Sequence, residues 1–310
     1  MLTHRDLLLG LGLPGLVGTV MFLLARGVPM LFARPGRRRS PAEPSPPGMA
    51  ARIGRDASPF ALVLGYLTAE NLLMGRPAFP PIEAPPLLYF ALLALALLSA
   101  AYECRASGVW HYYVPISIAV ILLPTIWLLV RPLAEHRWTG VQTTEWIVGL
   151  TVAAAAMTVA LDRLLGRQPG PAASIGLVLV VALTASVLLL SGTKIYAQLA
   201  AAAAAALAPG ALLATAGRSA PFSRTIAPSF VLLVGGLLLA GHLYASLTPE
   251  NALLLLIAPL GLWLAELPAV RRWPRWQRGL LGLAAVALPA AVAAGLAARQ
   301  FLEDMAADYY

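Results

Sequence analysis

Positive charges in this chain fall in alternate gaps between its apolar runs, and that pattern limits the fold more than any other feature. Basic residues cluster from Arg26 to Arg55, at Arg105, at Arg163 and Arg167, at Arg218 and Arg224, and from Arg271 to Arg278. The intervening gaps carry few. Lys and Arg concentrate in the cytoplasmic loops of membrane proteins. The alternation therefore implies a chain that crosses a bilayer repeatedly, and it also sets the orientation. The expected class is all-α, a polytopic integral membrane helix bundle.

Composition agrees. The chain is 59% hydrophobic and 12% charged, whereas soluble domains carry about 25% charged residues. Half that density leaves too few charges to solvate a surface in water. The net charge of +8 raises nucleic acid as a partner. The basic residues, however, are spread over loops between apolar runs, which fits membrane orientation and not a nucleic-acid face. One cysteine, Cys104, excludes an internal disulfide framework and any multi-cysteine metal site.

A spanning helix needs about 20 apolar residues. Ten segments qualify: 7–25, 59–74, 86–102, 112–130, 144–161, 171–190, 193–214, 227–247, 249–267 and 279–298. Proline opens several of them, as expected at a first helical turn. Thr248-Pro249 reads as an N-cap followed by Pro at the first helical position. The connections at Ser191-Gly192 and at 247–249 are short enough to be antiparallel helix hairpins.

The second segment is the weakest, being short and carrying Glu70 and Asn71. Charge bias decides whether it spans. With ten spans and an outside N-terminus, 16 Lys and Arg lie on the cytoplasmic side and 6 outside. Removing the second span changes the split to 12 and 10, and the bias nearly vanishes. Ten spans are therefore expected, in a bacterial inner membrane or its equivalent, with both termini outside. The first segment reads as an uncleaved helix, because Arg34 to Arg39 follow it and no small-x-small cleavage site is evident.

Residues 34–58 are rich in Pro and Arg and read as a flexible cytoplasmic linker. Arg37, Arg38 and Arg39 there would lie near anionic headgroups, worth about 1 kcal/mol each. The Ala200–Ala206 run, Gly235-Gly236 and the Ala-rich 284–298 stretch predict helices that approach closely near the bundle centre.

Ionisable groups within a span are costly and mark functional candidates. Glu70 is the strongest, beside Asn71 in the outer part of the second helix. His242 lies at similar depth in the eighth. Lys194, with Tyr196 and Gln198, opens the seventh, and Glu145 opens the fifth. Polar groups thus gather toward the outer face, as an outward-open polar cavity requires. The plainer reading has Lys194 and Glu145 snorkelling to headgroups. A Glu70–Lys194 ion pair would neutralise both groups. A protonated Glu70, with His242 as relay, would suit a proton-coupled carrier.

Pro124 and Pro259 are candidate helix breaks. The stretches ILLPTIWLLVRP at 121–132 and LIAPLGLWLAELP at 256–268 occupy matching places if the ten helices divide five plus five. Such halves would be inverted repeats, a common carrier design. Glu103, Cys104 and His111 share a loop, but their spacing matches no standard metal-ligand pattern. No catalytic, cofactor or metal residue is assigned, and no cofactor is expected. Trp110, Tyr112, Tyr113, Trp273 and Trp276 read as interfacial aromatics.

Three functions fit, with the lipid bilayer as partner and a small molecule or lipid as substrate. The leading one is a small secondary carrier with an outward-facing polar site around Glu70. The alternatives are a non-catalytic subunit or assembly factor of a membrane complex, and an intramembrane enzyme acting on a lipid-linked substrate. The carrier reading rests on helix count and layout.

Overall fold

The computed structural model describes residues 11–31, 57–77, 79, 81, 83–104, 110–136, 138–167, 170–216 and 222–307. These residues form helices and no strand. In chain order the helices are α1 (Leu13–Leu31), α2 (Ala57–Leu73), α3 (Ala84–Cys104), α4 (Trp110–His136) and α5 (Gly140–Arg167). They continue with α6 (Pro171–Leu190), α7 (Lys194–Thr215), α8 (Ile226–Tyr244) and α9 (Pro249–Ile257). A 3-10 segment (Ala258–Glu266), a single turn α10 (Pro268–Arg271) and α11 (Arg275–Ala307) complete the order. Of the linker expected at 34–58, residues 34–56 lie outside the described residues and residues 57–58 instead open α2; the loop at 105–109 also lies outside the described residues.

Each of the ten apolar segments overlaps a helix, with instructive shifts. The sixth agrees at both ends, because its limits are local. Pro171 occupies the first turn after Gly170, and Gly192 (φ 86°) turns the chain after Ser191. That left-handed angle suits glycine, which has no Cβ to clash. The hairpin is closed by hydrogen bonds from the Thr193 N–H and the Thr193 hydroxyl to the Leu188 carbonyl, at 3.1 and 2.9 Å. α4 and α11 outrun their apolar segments. Arg131–Glu135 and Arg299–Glu303, each an i,i+4 pair at 2.7 Å, carry the helices past the hydrophobic run.

Five helices, α5, α6, α7, α8 and α11, are long and apolar enough to cross a membrane. Shorter apolar helical stretches cover Leu13–Leu24, Ala84–Ser99 and Ile118–Pro132. The large apolar side chains left outside suit a lipid surround. α5 exposes Val141, Trp146, Val148, Val152 and Val159, and α11 exposes Leu280, Leu288, Val292 and Leu296.

α8 is the hub, packing against α2 through α7 and against α9. α2 is enclosed by α1, α3, α7 and α8, and Ala61, Leu62, Tyr66 and Ala69 have no exposed surface. The alanine run behaves as expected. Ala200, Ala202, Ala203 and Ala206 are fully buried, and α1 and α2 both cross α7 there. A Cβ at Gly18 would run into the backbone of Ala206, so only glycine permits that crossing.

The two proline candidates behave differently. Pro124 is exposed on an uninterrupted α4, so the break expected there is absent. Pro259 is buried where α9 gives way to nine residues of 3-10 helix. Proline has no N–H for the carbonyl four residues back, and 3-10 runs beyond three or four residues are uncommon. The segment is held by close packing on α11, where a Cβ at Gly261 would overlap the Ala285 carbonyl. The halves also pack unequally. α1 lies along α7, whereas α6 makes no comparable contact with α2 among the described residues.

Candidate functional site

Glu70 sits on the last turn of α2, where α1, α3, α7 and α8 surround that helix. It is 1% exposed, and among the described residues neither carboxylate oxygen meets a partner at full hydrogen-bond geometry, the Tyr66 phenol being the side chain that interacts with it. Tyr66 lies one turn earlier on the same face, fully buried, and its ring reaches the carboxylate electrostatically. The Tyr66 hydroxyl donates to the Pro85 carbonyl at the start of α3, at 3.3 Å. Tyr66 is also in electrostatic contact with Tyr196 on the first turn of α7, which in turn feels Tyr244 and Glu83. Tyr244 closes the group by donating to the Leu129 carbonyl of α4 at 2.8 Å.

Ends of α2, α4 and α8 and beginnings of α3 and α7 thus meet at one end of the bundle. Phenols hold that end together by donating to carbonyls on neighbouring helices. A carboxylate beside them, with no charged partner among the described residues, can bind a proton or a small cation. Buried charges are otherwise paired.

The other sequence candidates distribute unevenly. His242 is half-buried, and its Nδ1–H donates to the Leu247 carbonyl at 2.9 Å, since a carbonyl can only accept. That bond ties the ring to the α8–α9 corner and leaves Nε2 as the basic nitrogen. Asn71 is exposed and its amide donates to the Leu67 carbonyl at 2.8 Å, serving its own helix. Lys194 is exposed as the first residue of α7. Neither Glu70 oxygen takes a hydrogen bond from Lys194. Glu145 is exposed on α5, beside the stacked Trp138–Trp146 pair (5.5 Å between centroids), and α5 makes no comparable packing with α2. The side chains of Glu103, Cys104 and His111 lie outside the described residues.

Two residues at this end escaped the sequence reading. Tyr66 has the signal of its i,i+4 spacing to Glu70, which places both on one helix face. Asn251 follows Thr248-Pro249 and reads there as part of a cap. In the fold it is 1% exposed, with an unpartnered Oδ1, beside a pocket of about 300 Å³ that Ser191, Ser246 and Gln300 also line. Only the approach of α6, α9 and α11 makes that position an interior one.

Comparison with protein-family models, with curated proteins and with solved structures yields no match to this chain.

Proposed function

We propose that this chain is a multi-pass membrane carrier of ten spans, of the bacterial inner-membrane type with both termini outside, in which Glu70 exchanges a proton as a small molecule crosses. The observation that carries the reading is the burial of Glu70, with no charged partner on its carboxylate among the described residues and a phenol as its polar neighbour. A residue kept only for packing would not need a carboxylate there, since burying an acid away from a charged partner is costly. Tyr66, one turn from Glu70 and interacting with it, is the side chain that would pass a proton to or from the carboxylate. The α9–Pro259–3-10 break offers a place for the helices to flex. The charge bias across the ten segments supports the orientation.

Infrared difference spectra of the reconstituted protein, taken between acid and alkaline buffer, test the proton site. A carboxyl C=O band should titrate in the wild type and vanish in Glu70→Gln with the fold retained. An unchanged band in that variant would end the proposal. The orientation is tested in a Cys104→Ser background with a membrane-impermeant thiol reagent on intact cells. Cysteines at Thr139 and Thr248 should label and those at Gly170 and Trp273 should not; the reverse pattern would invert the topology.

A further inference from the structure

The opposite end of the bundle holds a different feature, a cavity of about 940 Å³ between α5, α6, the 3-10 segment and α11. Three arginines line it: Arg167 at the end of α5, and Arg275 and Arg278 on the first turn of α11. Among the described residues the Nε of Arg278 is buried with no hydrogen-bond partner. The guanidinium of Arg167 also lies over the Trp263 ring, 5.3 Å from its centroid, which holds the charge in place. Glu266 is the acidic side chain in the lining, and Arg271 pairs with it at 2.6 Å.

Two helices begin at this cavity. Gly170 and Pro171 open α6 there, with no side-chain cap on its first N–H groups, and Arg275 opens α11. Helix N-termini carry partial positive charge and exposed N–H donors, which favour anions. The remaining wall is apolar, from Ile175, Leu280 and Leu283, and Trp276 stands at the mouth, 65% exposed. A charged roof over an apolar wall matches a molecule with an anionic head and a hydrocarbon tail.

We infer that this cavity binds an anionic phospholipid, with its phosphate among Arg167, Arg275 and Arg278 and an acyl chain along Ile175 and Leu283. Basic pockets between membrane helices on the cytoplasmic side suit such headgroups. The planar guanidinium can meet phosphate oxygens two at a time. The site is independent of the Glu70 proposal, and its failure would leave that proposal standing.

The test uses the full-length protein purified in a neutral detergent, with lipid binding followed by native mass spectrometry and by thermal unfolding. Phosphatidylglycerol should remain bound and raise the unfolding temperature, whereas phosphatidylcholine and inorganic phosphate should not. Arg275→Gln/Arg278→Gln should weaken phosphatidylglycerol binding by roughly 30-fold, from about one arginine's worth of surface attraction at each position. Arg299→Gln, the same charge change at the other end, should leave binding unchanged. If the double variant does not fold, the exposed Arg275→Gln alone should cost roughly fivefold. Equal binding by wild type and Arg275→Gln would overturn the inference. Full stabilisation by inorganic phosphate would also overturn it, by assigning the cavity to a soluble anion.

Discussion

The two ends of this bundle treat charge in opposite ways. At the Glu70 end a single carboxylate is sealed among packed helices, and the tyrosines near it spend hydroxyls on backbone carbonyls. At the arginine end several positive groups border an open cavity, and two helix starts face it. A closed site can change its charge only through something as small as a proton or a bare cation. An open basic site can take a large anion without moving a helix. The ends therefore suit different ligands although one set of helices builds both.

Added volume breaks this contrast most directly. Ala69 is fully buried beside Glu70, so Ala69→Leu has nowhere to place its side chain. Overpacking of this kind costs about 1–3 kcal/mol, which unfolding in detergent should record. If Ala69→Leu proves as stable as wild type, the Glu70 end is not the closed end.

A smaller effect is expected from Tyr66→Phe. The change leaves the Pro85 carbonyl without its donor while the ring keeps its place. A loss of about 1 kcal/mol follows from the missing hydrogen bond. The same variant should alter the titration of the Glu70 infrared band, because the phenol and the carboxylate interact. An unaltered band would remove Tyr66 from the proton site.

The smallest effect belongs to the open end. Ala172 is half-buried beside Gly279 of α11 and lines the arginine cavity, so the side chain of Ala172→Leu should turn into the cavity and shift stability by about 0.5 kcal/mol. It should also reduce phosphatidylglycerol retention by occupying part of the apolar wall. A stability loss as large as that of Ala69→Leu would show that the cavity closes in solution.

Much of the helix plan was readable from residues alone, for local reasons. Pro171 and the Ser191-Gly192 turn mark α6 at both ends, and Pro249 marks the start of α9. α2 gave the weakest apolar signal because it is an inner helix, sheltered by four others, and needs less apolar surface than a lipid-facing one. The same shelter lets it carry Glu70. The proline symmetry misled for the opposite reason. Pro124 and Pro259 have similar neighbours in sequence, but Pro124 is exposed on an unbroken α4, whereas Pro259 is buried on a segment pressed against the backbone of α11.

Sequence by itself determined the all-α class and the presence of several long apolar helices, because apolar length is a property of the chain that needs no partner helix. It also singled out Glu70, since an acid within an apolar run is costly wherever the run packs. Tertiary structure decided what that acid meets and which groups are left without partners. It placed Tyr66 beside Glu70, buried Asn251, and brought Arg167 to Arg275 and Arg278 through the packing of α11 on α6 and the 3-10 segment. Those outcomes depend on which helix faces touch. The pairing of faces comes from small-residue fit at positions such as Gly18 and Gly261, where the absence of a Cβ lets one backbone reach another.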